Sequence, residues 1–270
     1  MTKSIADCPI GIFDSGVGGL TVAKAICDLL PNEQIIYFGD TAHAPWGDKS
    51  NHAIIEYSTK IVDILLAQHC KVIIVACNSA SAVALTALMQ YIDNKAILLN
   101  VIDPTITYLA NNHANSTIGL IGTKQTINSN IYQQKLNPYN IQLKSLATPL
   151  LVPIIEEGLL QHEITRLAIA EYLDKSVLHN ISALVLGCTH YPLIKSVIQQ
   201  YYAQEKNIDI IDSAIATAKT LQNMLLQNNL FNTATVKANK FYISDYTKHF
   251  EVTAKLFFGN KVVPEERKLT

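Results

Sequence analysis

Short runs of β-branched and aliphatic residues alternate along the chain with longer segments whose apolar positions follow helical spacing. The runs at 10–13, 34–38, 72–76, 96–101, 117–121, 141–146, 183–186, 208–211 and 237–243 read as strands. Segments 52–67, 81–91, 164–178 and 214–226 read as helices lying between them. The strand runs are apolar throughout rather than alternating, as expected of strands covered on both faces. The pattern predicts an α/β fold with mainly parallel central sheets.

A faint repeat runs through this pattern. Ile10-Gly-Ile-Phe-Asp14-Ser15-Gly16 resembles Ile118-Gly-Leu-Ile-Gly122-Thr123-Lys124, an offset of 108 from Gly11 to Gly119. Cys77 and Cys188 each follow a strand run and are offset by 111. Two similar offsets in the same order predict two pseudosymmetric α/β domains with the active site in the cleft between them. A half that ends near residue 101 has only four strand runs, so the chain from about Asp212 is expected to return to it. The expected division is 1–101 plus 212–270, carrying Asp14 and Cys77, and 102–211, carrying Glu156, Cys188 and His190. Ligands in open α/β sheets bind beyond the C-terminal strand ends. Asp14, Asp40, Cys77, Asp103, Gly122 and Cys188 all stand there.

Composition narrows the function classes. The 270 residues are 49% hydrophobic and 16% charged, and 21 Lys+Arg against 22 Asp+Glu leave a net charge of −1. No basic stripe marks a nucleic-acid groove, so no direct nucleic-acid contact is expected. The longest apolar stretch, 72–89, is interrupted by Asn78, Ser79, Ser81 and Thr86, so no membrane span is expected. Five cysteines without CxxC spacing argue against a disulfide framework or a zinc knuckle. The first residues lack the basic-then-apolar order of a signal peptide, and the expected location is cytoplasmic. The histidines show no metal-ligand spacing, so no metal is expected.

The matched cysteines carry the candidate chemistry. A lone free cysteine reads as a small buried hydrophobe. Two at equivalent strand ends, flanked by Asn78-Ser79 and Thr189-His190, read as a proton donor and a proton acceptor on opposite sides of one substrate. A thiol at a strand-to-helix turn faces unpaired N–H groups, which favour the thiolate, so both thiols are expected to be activated. Asp14, in a glycine-rich turn that does not match a dinucleotide fingerprint, reads as a proton-handling or ammonium-binding group. His190 beside a thiol reads as a tuner of proton transfer. Glu156 reads on residue type alone as a solvated helix residue. The single tryptophan, Trp46, lies in a polar Pro/Gly loop and reads as a pocket wall or a packing residue.

With these residues in place, the chain resembles the glutamate racemases of the cofactor-independent aspartate/glutamate racemase superfamily. The carriers are IGIFDSGVGG at 10–19, YFGDTAHAPWGDKS at 37–50, VACNSASA at 75–82, VPIIEEG at 152–158 and GCTHYPL at 187–193. The resemblance implies two-base racemisation of L- and D-glutamate without a cofactor, supplying D-glutamate for peptidoglycan. Aspartate racemisation is the nearest alternative, and a catalytically idle binding protein or a thiol acyltransferase the more distant ones. It implies Cys77 and Cys188 as catalytic thiols, Asp14 beside the first, and Glu156 and His190 beside the second. It implies Asp14, Ser15, Gly47, Asn78, Thr189 and His190 as substrate contacts, with Trp46 and Ser79 where the family usually has Tyr and Thr. By the same resemblance Cys188 deprotonates L-glutamate and Cys77 D-glutamate. Dimers in the family differ in interface, so a homodimer is left open.

Overall fold

A computed structural model describes residues 4–204, 208–235, 237–259 and 262–269. Residues 1–3 and 270, which bound the expected first domain, lie outside the described residues. The strands are β1 Ile10–Asp14, β2 Ile35–Gly39, β3 Val72–Val75, β4 Ile97–Asn100, β5 Thr117–Gly122, β6 Gln142–Ala147, β7 Ala183–Gly187, β8 Asp209–Asp212, β9 Lys240–Ile243 and β10 Glu265–Glu266. They form one sheet in the order β10-β9-β2-β1-β3-β4 and another in the order β6-β5-β7-β8. Every strand pairing in both sheets is parallel.

The order β2-β1-β3-β4 repeats as β6-β5-β7-β8, so β3 and β7 occupy equivalent positions and each is followed by a cysteine. The first sheet is extended past β2 by β9 and β10, which come from the end of the chain. Side chains alternate between two apolar layers. Val72 and Ile74 pack with the helices Leu20–Leu29 and Ser213–Gln227, whereas Ile73 and Val75 pack with Asn51–Ala67 and Leu85–Ile92. The second sheet divides likewise, with Leu120 and Val185 on one face and Ile121 and Leu186 on the other. Burial on both faces explains why the strand runs lack polar alternation.

Three segments depart from the expected elements. The helix expected over 81–91 begins earlier and breaks at Ala84, giving Asn78–Val83 and Leu85–Ile92. Ser81 Oγ donates to the Val75 carbonyl and holds the first piece at the strand end, while the second turns to bury Leu88 and Ile92. The helix expected over 164–178 stops at Leu173; Lys175 is extended, and a 3-10 turn Ser176–Leu178 buries Leu178. The strand expected over 237–243 is only Lys240–Ile243, because the Asn239 side chain accepts the Ile35 N–H at 2.9 Å in place of a backbone ladder.

Candidate functional site

Both catalytic candidates stand at sheet ends facing one small cavity. From the first sheet come Ser15, Trp46, Gly47, Cys77, Asn78 and Ser79; from the second come Thr123, Val152, Cys188, Thr189 and His190. Its volume is 10 Å³, room for about one water molecule. Asp14 and Glu156 do not line the cavity; each touches a residue that does.

Cys77 is the residue before the helix Asn78–Val83, and its carbonyl accepts the Ser81 N–H at 2.8 Å. Its sulfur lies 3.9 Å from Ser15 Oγ. Burial pushes this thiol up to about 12; the Asp14 carboxylate adds to the shift, and the Ala80 N–H and Ser15 hydroxyl only partly offset it. The expected activation of this thiol by its helix turn is therefore reversed, because desolvation of a charge inside the fold outweighs one short helix terminus. Cys188 also contributes to the shift, which shows that the two sulfurs lie within each other's field.

The second thiol stands in a different setting. After Cys188 the chain makes a 3-10 turn Tyr191–Ile194, with Pro192 in its first turn, before the α-helix Lys195–Tyr201 begins. His190 Nδ1 lies 3.7 Å from Cys188 Sγ, and His190 Nε2 lies 3.1 Å from Glu156 Oε1. Burial acts to lower the His190 imidazole, but the hydrogen bonds to Cys188 and Glu156 outweigh it and raise the ring well above its ordinary value. Burial acts to raise the Glu156 carboxyl, but the His190 hydrogen bond and charge, helped by His249, bring it below its ordinary value. An imidazolium between a sulfur and a carboxylate can donate a hydrogen bond to each. Glu156 ends the helix Leu151–Glu156, and Gly158 follows at φ +75°, a conformation that favours glycine. The Glu156 side chain is 31% exposed and paired with His190, so it is more than the solvated helix residue its type alone suggests.

Hydrogen bonds cross the cleft at several points. Thr189 Oγ1 donates to Asp14 Oδ2 at 3.0 Å, while Gly16 N donates to Asp14 Oδ1 at 3.0 Å. Ser79 Oγ and Thr123 Oγ1 are 2.9 Å apart. Tyr132 Oη donates to Asn78 Oδ1 at 2.8 Å, which turns the Asn78 Nδ2 away from Tyr132. Among the described residues that buried Nδ2 has no hydrogen-bond partner. Two glycines permit the close approach. A Cβ on Gly18 would lie 2.5 Å from both His190 Nδ1 and Thr189 Oγ1, and one on Gly47 would lie 2.7 Å from Thr123 Cβ.

Not every strand-end residue joins the site. Asp103 turns to Lys135, 2.7 Å away, and Gly122 packs under Gly187 and Ile127. Thr123, Tyr132 and Val152 are cleft residues not singled out in the sequence; the alignment of Ser15 with Thr123 in the internal repeat points to the first, Val152 only opens the motif 152–158, and nothing local points to Tyr132. Among the described residues no group of three or more His, Cys, Asp or Glu side chains is arranged to hold a metal ion. No helix of the described residues is long and apolar enough to cross a membrane.

The wider likeness agrees with this geometry. Residues 28–221 match the Asp/Glu/Hydantoin racemase family. Glutamate racemase from Neisseria meningitidis serogroup C is 42% identical over 254 residues, covering 93% of both chains. The crystal structure of glutamate racemase from Francisella tularensis in complex with D-glutamate superposes with a TM-score of 0.88 at 37% identity, covering 98% of both chains. A glutamate racemase isoform from Bacillus anthracis superposes with a TM-score of 0.90 at 31% identity, covering 97% of this chain and 98% of that one. The chain belongs to the Asp/Glu/hydantoin racemase family and is an isomerase, an amino-acid racemase whose matched relatives are glutamate racemases.

Proposed function

We propose that the protein interconverts L- and D-glutamate by cofactor-independent proton transfer between Cys77 and Cys188. The observation that carries this reading is that two cysteines, at equivalent ends of β3 and β7, border one buried cavity. The Francisella structure, with D-glutamate bound, supports glutamate as substrate.

An α-proton is weakly acidic, so its removal needs stabilisation of the developing negative charge. The buried Asn78 Nδ2 supplies a hydrogen-bond donor for the α-carboxylate, with Ser15, Ser79, Gly47 and Thr189 as further substrate contacts. With L-glutamate bound, the Cys188 thiolate takes the α-proton and the Cys77 thiol gives its proton to the opposite face. D-glutamate leaves Cys188 as thiol and Cys77 as thiolate, the state from which the reverse reaction starts. The raised Cys77 favours its thiol form in the free protein, the form that donates a proton when L-glutamate is bound. Asp14 assists Cys77, and His190 with Glu156 assists Cys188. Trp46 supplies an apolar wall. The cavity is too small for an amino acid as it stands, so substrate enters when the walls part and reacts once they exclude water.

On the same resemblance we read the chain as two units, 1–101 plus 212–270 and 102–211, acting in the cytoplasm to supply D-glutamate for peptidoglycan. The shared strand order of the two sheets supports the division.

Circular dichroism of L-glutamate and of L-aspartate, each incubated with pure protein, tests the substrate. The glutamate signal should decay to zero and the aspartate signal should persist. Cys77→Ala and Cys188→Ala should each lower glutamate racemisation by about 10³-fold or more, the scale of a lost acid or base. Faster decay with aspartate, or a near wild-type rate in either alanine variant, would contradict the proposal.

A further inference from the structure

Asp40 follows β2 directly and is fully buried, yet it neither lines the cavity nor takes part in the proton transfers described above. Several donors converge on its carboxylate. Trp46 Nε1 donates to Oδ2 at 3.2 Å, and Ser244 Oγ donates to Oδ1 at 2.6 Å. His43 Nδ1 lies 2.8 and 3.0 Å from the two oxygens, and its ring stacks on Tyr57 with centroids 4.2 Å apart. The main chain is anchored as well, since the Asp40 N–H donates to the Asp14 carbonyl at 3.0 Å. Ser244 in turn accepts the Ala42 N–H at 2.9 Å. The loop from Thr41 to Gly47 is thus held at both ends by one carboxylate and by the residue that follows β9. Trp46 and Gly47, at the far end of that loop, are cavity walls, and Gly47 abuts Thr123 of the other sheet.

We propose that Asp40 is a positioning residue that fixes Trp46 and Gly47 against the substrate and couples this wall to Ser244, in a segment 204 residues further along the chain. A buried carboxylate needs charge-assisted donors, and the indole N–H is the one that reaches it from the cavity wall. Trp46 therefore borders the cavity while its one polar atom is bound to Asp40. This inference rests on the reading of the cavity as the glutamate site.

Trp46 is the only tryptophan, so intrinsic fluorescence reports directly on the wall. Titration of the wild type with D-glutamate should change the emission saturably. In Asp40→Asn the midpoint and KM should both rise by about tenfold, the scale of one lost charge-assisted hydrogen bond, while kcat falls much less. Ser244→Ala, which leaves the carboxylate in place, should raise KM in the same direction by a smaller factor. Trp46→Phe should raise KM, and the double variant Asp40→Asn/Trp46→Phe should be no worse than Asp40→Asn alone, since both remove the same contact. If Asp40→Asn does not fold, unchanged KM in both Ser244→Ala and Trp46→Phe overturns the inference. A folded Asp40→Asn with wild-type KM, or with reduced kcat and unchanged KM, overturns it too. If the wild type shows the fluorescence response without racemising glutamate, the racemase reading fails and the positioning role is still decided by the midpoint shift.

Discussion

Thr189 donates a hydrogen bond to the Asp14 carboxylate across the cleft, 3.0 Å from Oγ1 to Oδ2. The residue beside one thiol thereby orients the carboxylate that raises the other. The two proton-transfer arms are joined, and substitutions in either should be felt in both directions but unequally. His190→Asn removes the partner of Cys188, so kcat should fall more with L-glutamate as substrate. Asp14→Asn should slow D-glutamate more. The ratio of kcat/KM between directions is held at unity by the equilibrium between enantiomers, so the asymmetry must be read in kcat and in α-deuterium isotope effects. Equal changes for both enantiomers in both variants would refute separate assistance of the two thiols.

The Glu156–His190 pair makes stability depend on pH in a predictable sense. Glu156 is brought below its ordinary value of 4.5, so its contribution is complete above that value and is lost as the pH falls through the lowered one. His190 is raised above its ordinary value of 6.5, so its contribution is complete below that value and is lost as the pH rises through the raised one. The Tm difference between wild type and Glu156→Gln should therefore be largest between pH 4.5 and 6.5 and shrink on either side. A difference that grows steadily with pH would contradict the pairing.

Gly18 is needed for its size rather than its backbone freedom. An added methyl would overlap His190 Nδ1 and Thr189 Oγ1, each 2.5 Å from the new carbon, and so would push the two sheets apart at the cleft. Gly18→Ala should lower kcat/KM by about 100-fold, the scale of a 1 Å misplacement, while thermal unfolding remains cooperative. Wild-type kinetics in this variant would mean that the cleft does not work in the closed form.

At the opposite end of the first sheet, Lys71 and Glu33 form a buried ion pair of 2.6 Å. Lys71 also donates to the Ala6 and Leu230 carbonyls, and Glu33 accepts the Asn232 N–H. The pair thus ties the leading ends of β2 and β3 to two further segments, at Ala6 and at 230–232. Removing one partner of such a buried pair costs about 3–5 kcal/mol. Glu33→Gln should lose stability on that scale in denaturant unfolding, with kcat of the folded protein unchanged, because the pair precedes β2 and β3 while the cleft follows them. A loss of kcat at full stability would contradict this separation.

The parts of this structure that could be read from the sequence are those written locally. Apolar runs mark the strands because burial on both faces excludes polar residues. Asp14, Cys77 and Cys188 stood out because a parallel sheet puts strand ends at its ligand edge. What escaped detection depends on tertiary contact. The pairing of Asp40 with Ser244 spans 204 residues and has no local pattern. Tyr132 belongs to the site only through Asn78. The edge strand Glu265–Glu266 is two exposed charged residues without strand character, formed by pairing with β9. The raised Cys77 thiol has no local signature either: the helix turn is written beside it in the sequence, whereas the desolvation and the Asp14 charge that outweigh it arise only in the fold.

The most direct test of two-cysteine proton transfer is isotope incorporation at the α-carbon at low conversion in deuterated water. L-glutamate and D-glutamate are each incubated with the protein, and the two enantiomers are separated and analysed by mass spectrometry. If one thiol removes the proton and the other, exchanged with solvent, delivers its own, the product enantiomer carries deuterium while the remaining substrate stays protiated, from either starting material. Product that retains the original proton, or substrate that exchanges as fast as product forms, would show a single base serving both faces and would contradict the assignment of Cys77 and Cys188.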